Sequence, residues 1–75
     1  MRLNQKLSEK QLLIINFIEN YYIENGISPT IEDVRVGCKL SSESVVSYNL
    51  NILEEYGYLD RKKGMARSIT SNKEI

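Results

Sequence analysis

The sequence predicts a small, mainly helical α+β domain in which three helices are followed by a β-hairpin. Two observations support this prediction. Three segments repeat apolar residues at helical spacing, and each begins at a Ser or Thr suited to capping a helix. Two short apolar stretches then flank a basic turn that contains a glycine. The length of 75 residues leaves room for a single domain, 1–75, whose ordered core we place at about residues 7–70.

The first predicted helix begins at Ser8, and Gln11 lies three residues further on, at the spacing of a capping box. Gly26 is suited to the left-handed conformation that closes a helix. Between them runs the expected core stripe, which consists of Ile14, Ile15, Ile18 and Tyr22 and is widened by Phe17 and Tyr21.

The second predicted helix follows Pro29 and is short. Thr30 is its expected cap, with Asp33 at capping-box distance. Val34 and Cys38 are four residues apart, so they share one face, and we expect both to be buried. Cys38 is therefore interpreted as a small core residue rather than as a reactive thiol.

The third predicted helix begins after a tight turn, at the cap signal of Ser41 and Ser42, and ends at Gly57. Its inward face consists of Val46, Leu50 and Leu53. Residues 58–59 and 69–70 then read as strands, with residues 71–75 as a frayed tail. Two helices joined by a tight turn and followed by a hairpin have the proportions of a winged helix-turn-helix.

The outward face of the third helix is unusual because it carries small polar groups and almost no charge, whereas solvated helix surfaces favour Lys, Glu and Arg. The side chains concerned are Ser44, Val45, Ser47, Tyr48 and Asn51, with Ser42 at the N-terminal end. Such a face can enter the DNA major groove and contact base edges. A polar surface without a partner is the alternative for this helix taken alone.

Basic residues next to this helix favour the DNA interpretation. Four of them lie in a seven-residue stretch at the predicted hairpin turn, namely Arg61, Lys62, Lys63 and Arg67. Lys39 lies in the tight turn between the second and third helices. Long cations on a projecting element are suited to contact DNA phosphates. The formal net charge of zero is a mild argument in the other direction, since many DNA-binding proteins are basic overall.

Other classes of function find little support in the composition. The chain has no His and one Cys, so it lacks the commonest acid–base residue and has no internal disulfide. We find no nucleophile motif, phosphate-binding loop or metal-ligand cluster, and we expect no enzyme activity, cofactor or small-molecule substrate. No apolar run approaches the length of a membrane span, and the expected location is cytoplasmic.

The chain resembles the N-terminal winged-helix domain of the LexA repressor family, the regulators of the bacterial SOS response. The segments that carry the resemblance are 7–11, 17–18, Gly26-Ile27-Ser28-Pro29-Thr30, Val34 with Cys38, Ser42, Leu50 with Leu53, 57–60 and 64–69. Their spacing follows the family from Leu7 to Thr70 without a gap. The resemblance implies a repressor that binds double-stranded DNA.

The resemblance also implies base contacts from Ser42, Ser44, Val45, Ser47 and Tyr48. The last four differ from the usual Asn, Ala, Glu and Glu of the family, which argues against the standard SOS operator but not against DNA binding. Lys39 stands where the family usually has Gly. If the left-handed conformation is kept there, it costs about 1 kcal/mol.

The C-terminal domain of the family, with its Ser-Lys dyad for self-cleavage and its dimerisation surface, has no counterpart in this sequence. We therefore expect either a stand-alone regulator or an excised domain, without self-cleavage, and a homodimer on a palindromic site is an open possibility. Two alternatives to DNA binding remain at this point: a winged-helix module that binds protein, and a small accessory or antitoxin-like partner of another regulator.

Overall fold

Three helices and an antiparallel hairpin form the fold, which confirms the predicted class and element order. The computed structural model describes residues 6–62, 64–65 and 67–71. Its elements are α1 (Glu9–Asn25), α2 (Ile31–Gly37), α3 (Glu43–Glu55), β1 (Leu59–Asp60) and β2 (Thr70–Ser71). Within the described ranges, no helix is long and apolar enough to cross a membrane.

Each helix begins at a side-chain cap that the sequence predicted. The Ser8 hydroxyl accepts from the backbone N–H of Gln11 at 3.1 Å, and the Gln11 side chain accepts from the N–H of Ser8 at 3.0 Å. Thr30 and Asp33 form the same reciprocal pair, at 3.0 and 2.9 Å. Ser42 caps α3. These bonds satisfy backbone donors that have no partner inside a helix, so they set where each helix starts.

The core lies where the three helices meet the hairpin. Its buried apolar side chains include Ile14, Ile15, Ile18, Val34, Cys38, Leu40, Val46, Leu50, Leu53, Leu59 and Ile69. The predicted inward face of α3 and the buried position of Cys38 are thus confirmed. The prediction that Tyr22 extends the core stripe is wrong, because this side chain is 56% exposed. It lies in the last turn of α1, just before Gly26 (φ +75°) closes the helix.

A five-residue turn, residues 38–42, joins α2 to α3. Lys39 adopts the left-handed conformation in it, with φ of +57°. Leu40 is buried, and its N–H donates to the carbonyl of Arg35 at 2.9 Å. The turn therefore connects the two helices of the helix-turn-helix, and Lys39 adopts an unfavourable backbone conformation within it.

We expect Lys39→Gly to raise the free energy of unfolding by about 1 kcal/mol relative to Lys39→Ala, because glycine adopts positive φ without the clash of a Cβ. Both variants lack the lysine charge, so their difference isolates the backbone effect. Urea unfolding followed by circular dichroism gives both values. Equal stability of the two variants would show that Lys39 is unstrained.

The strands begin one residue later than predicted, at Leu59 and Thr70 rather than at Tyr58 and Ile69. Tyr58 instead belongs to the turn that closes α3, because its N–H donates to the carbonyl of Leu53 at 2.9 Å. Leu59 pairs with Ser71. Ser71, which we assigned to the tail, therefore belongs to β2, and the rest of the predicted tail lies outside the described residues.

Candidate nucleic-acid interface

The outward face of α3 is exposed, as the sequence predicted. Ser44 and Asn51 are exposed, and Tyr48 has 67% of its surface in solvent. Val45 and Ser47 are half-buried at the edges of this face, and Ser42 is half-buried at its N-terminal end. An aromatic side chain this exposed has no role in the core. The face that Tyr48 shares with Ser44 and Asn51 carries no charge over two turns of helix.

A buried asparagine next to this face was missed from the sequence. Asn49 is only 6% exposed; its amide donates to the carbonyl of Val45 at 2.9 Å and accepts from the Gln11 amide at 3.4 Å. Gln11 is also the capping partner of Ser8. The start of α1 and the middle of α3 are thereby joined through one side chain. The one signal of burial in the sequence was the helical spacing of Asn49, which lies three residues after Val46 and four before Leu53.

A shallow groove of about 660 Å³ lies between the start of α1 and the outward face of α3. Lys10 lines it together with Ser44 and Tyr48. Lys10 was not predicted to belong to the interface, because it is 34 residues away from Ser44 along the chain. The fold places this cation beside the exposed face of α3, where it is available to a phosphate.

The stem of the hairpin touches the same face of α3. Arg61, directly after β1, donates from Nη2 to the Asn51 Oδ1 at 2.5 Å, and its Nε lies 3.5 Å from a carboxylate oxygen of Glu54. The Arg61 side chain is only 12% exposed as a result. The basic loop therefore starts beside the exposed face of α3 rather than on the far side of the domain.

Ser68 organises the described part of the loop that connects the two strands. Its hydroxyl accepts from the N–H of Lys62 at 3.0 Å and lies 3.0 Å from the carbonyl oxygens of Lys62 and Met65. The Lys62 residue is exposed, and among the described residues no acceptor is found for its ammonium group. Lys63, which we predicted to contact DNA, lies outside the described residues.

Arg67 is bonded within the fold. Its Nη1 lies 2.9 Å from the carbonyl oxygen of Ser28, 3.3 Å from an Asp33 carboxylate oxygen and 3.3 Å from the Tyr21 hydroxyl. The backbone of Arg67 is left-handed, with φ of +57°. The three partners belong to α1, to the connector before α2 and to α2 itself.

Two carboxylates of α2 are held ionised next to this region. Hydrogen bonds from Arg35 lower the pKa of Glu32 to about 2, and the nearer pair of atoms is 2.7 Å apart. The backbone N–H of Thr30 lowers the pKa of Asp33, with further contributions from the hydroxyls of Thr30 and Tyr21 and from the charge of Arg67. Asp33 is therefore an anion at neutral pH and a suitable partner for the Arg67 guanidinium.

Possible metal ligands do not cluster in the part of the chain that the structure describes. Within those ranges no group of three or more His, Cys, Asp and Glu lies close enough to hold a metal ion. Burial raises the pKa of the Cys38 thiol and so favours its protonated form. The exposed face of α3 and the adjoining basic loop are the features of the described surface that the sequence singled out.

Comparison with known proteins assigns the chain to a family. The sequence model of the LexA DNA-binding domain matches residues 4–68. The chain belongs to this family. Its relatives include LexA repressors of Roseiflexus sp. (strain RS-1), 42% identical over 69 residues, and of Carboxydothermus hydrogenoformans, 42% identical over 66 residues. The LexA repressor of Clostridioides difficile is 36% identical over 63 residues.

The matches cover 92%, 88% and 84% of this chain but only 32%, 32% and 30% of the three relatives. The chain therefore corresponds to about a third of the length of a LexA repressor. The family match spans all three helices, β1 and the loop as far as Ser68, including Arg61, and ends before β2. The family is that of a DNA-binding domain, so the exposed face of α3 and the basic loop form the candidate interface with double-stranded DNA.

Proposed function

We propose that this protein is a sequence-specific regulator of transcription that represses its targets by binding double-stranded DNA. Family membership supports DNA binding, and the exposed, uncharged face of α3 is the observation that supports α3 as the recognition helix. A helix fits the major groove closely when the side chains facing the bases are short. In this proposal α3 is the recognition helix and the β1–β2 hairpin with its loop is the wing.

The exposed side chains of the recognition helix are proposed to contact the bases. We assign base contacts to Ser42, Ser44, Val45, Ser47, Tyr48 and Asn51. The hydroxyls of this set can donate to or accept from base edges, and Val45 can contact a thymine methyl group. Since the Oδ1 of Asn51 accepts from Arg61, its amide is left to act mainly as a donor.

Phosphate contacts are assigned to the basic side chains that the fold leaves free. Lys39 in the turn and Lys62 in the wing are exposed, and Lys10 lies beside Tyr48. Lys63 is included on sequence alone. Arg61 and Arg67, which we also predicted as phosphate ligands, have acceptors within the fold, so their free N–H groups are at most a second contribution.

Two copies on a palindromic site would place their recognition helices in successive major grooves, about 10 base pairs apart. This arrangement is proposed from the general geometry of helix-turn-helix regulators. A selected binding site with two inverted halves at that spacing would support it.

We expect Lys39→Ala and Lys62→Ala each to reduce the slope of log Kd against log salt concentration by about 0.9, because each removes one phosphate contact. Asn20→Asp is the matched control, since it lowers the net charge by the same amount on the exposed outer side of α1. Fluorescence anisotropy with a labelled 30-base-pair random duplex, at several salt concentrations, measures all four proteins.

If the protein binds DNA, the affinity of the wild type for the duplex depends on salt concentration. The two lysine variants then bind more weakly, and the control binds with an affinity near that of the wild type. Equal slopes in all four proteins would remove the phosphate assignments. The absence of measurable duplex binding by the wild-type protein would instead favour a winged-helix module that binds protein.

A further inference from the structure

We infer that Arg67 is a positioning residue for DNA binding: it latches the wing to the first helix of the helix-turn-helix, and so sets where the wing meets the DNA backbone. The inference rests on the proposed function and adds a role that the phosphate assignments do not contain. In it, the affinity for DNA depends on Arg67 through the position of Lys62 rather than through a phosphate bound by Arg67 itself.

The contacts of Arg67 support a latch because they reach three separate parts of the domain. One nitrogen, Nη1, is shared among Tyr21 of α1, the carbonyl of Ser28 in the connector and Asp33 of α2. Ser28 is buried and Asp33 belongs to the capping box of α2, so both acceptors are fixed by other contacts. The guanidinium therefore joins the wing to positions that other contacts also hold in place.

The packing around the wing leaves this connection with little support from apolar contacts. A groove of about 400 Å³ lies between the start of α2 and the wing loop, and Ile31, Met65 and Arg67 are among its lining residues. Met65 is 60% exposed, so this described residue of the wing loop is not packed against the core. At the base, by contrast, Leu59 and Ile69 are buried and the Ser71 hydroxyl donates to Glu19 at 2.8 Å.

The backbone at Arg67 supports the same conclusion. A residue other than glycine in the left-handed conformation is unfavourable and persists where its surroundings fix it. The hydrogen bonds of the guanidinium supply such a constraint at Arg67, whereas Gly64, the other described loop residue with positive φ, needs none.

Conservative variants separate a latch from a phosphate ligand. Arg67→Lys keeps the charge but loses the geometry of the shared bonds, and Tyr21→Phe removes the hydroxyl that contacts both Arg67 and Asp33, without changing any charge. Tyr22→Phe is the control, because it removes a hydroxyl from an exposed neighbouring tyrosine. The readouts are the salt slope of duplex binding, with and without Lys62→Ala, and the amide {1H}-15N NOE of Lys62, Gly64 and Met65 in the free protein.

We expect Arg67→Lys and Tyr21→Phe both to lower the NOE of the wing amides and to reduce the salt slope by about 0.9, the loss of one phosphate contact. In the Lys62→Ala background neither variant should reduce the slope further, and Tyr22→Phe should match the wild type throughout. Thermal melts confirm that each variant is folded.

Unchanged NOE values in Arg67→Lys and Tyr21→Phe would overturn the latch. A wild-type salt slope in either Tyr21→Phe or Arg67→Lys would also overturn it, since Arg67 would then act only as a cation on DNA. If the wild-type protein binds no duplex while the wing NOE values still fall in both variants, the proposed function fails and the latch within the free domain stands.

Discussion

Ser44→Glu is expected to abolish specific DNA binding while leaving the fold intact or slightly more stable. Ser44 is exposed in the first turn of α3, where a carboxylate interacts favourably with the helix dipole and contributes about 0.3–1 kcal/mol. At the DNA surface the same carboxylate meets the phosphates, and a like-charge contact costs several kcal/mol, or more than about 100-fold in Kd.

The opposite signs of these two effects make the variant informative. Anisotropy titration measures the affinity, and thermal unfolding measures the stability of the same preparation. Asn20→Glu introduces the same charge on the outer side of α1 and should change Kd far less. If Ser44→Glu bound duplex as tightly as Asn20→Glu, the start of α3 would not lie on DNA.

Leu50→Ala is expected to produce the largest loss of stability. Leu50 is fully buried between the helices, and leucine-to-alanine substitutions at such sites cost about 2–5 kcal/mol through lost apolar burial and the cavity left behind. Small domains have total stabilities near the lower end of about 5–15 kcal/mol. We therefore expect the melting temperature to fall by about 8 °C or more, with part of the population unfolded at 37 °C.

Tyr48→Ala is the matched control for Leu50→Ala, because it truncates a large side chain two residues earlier in α3. Tyr48 is 67% exposed, so its loss should change the free energy of unfolding by about 0.5 kcal/mol or less. Urea denaturation of both variants tests the pair. A Leu50→Ala protein as stable as Tyr48→Ala would contradict the assignment of inward and outward faces on α3.

Much of this fold follows from local sequence signals. Ser8 and Thr30 were predicted as caps because each has a capping-box partner three residues later, and Ser42 because a pair of serines precedes the apolar repeat of α3. The inward face of α3 followed from the period of 3.6 residues, and the exposed face opposite it was predicted by the same rule. The tight turn fixed the relation between α2 and α3, and hence the helix-turn-helix.

The contacts that hold the wing were not predictable in this way. Arg61 and Arg67 read as free cations in a basic loop, because nothing local reveals that Asn51 and Asp33 lie within reach of them. These partners are 10 and 34 residues away along the chain. Asn49 escaped for the same reason, since its partner Gln11 is 38 residues away. Long-range polar contacts depend on the packing of the whole domain, which periodicity does not encode.

The most direct test of the interface is selection of binding sites from a random duplex pool at fixed salt, with the wild-type protein and with Tyr48→Ala in parallel. Because Tyr48 lies on the exposed face of α3, we predict that the wild type enriches a defined motif and that the variant enriches the same motif altered at one or two adjacent base pairs. Identical motifs from both proteins would contradict base reading by Tyr48 on the exposed face of α3, and enrichment without any motif would contradict sequence-specific recognition altogether.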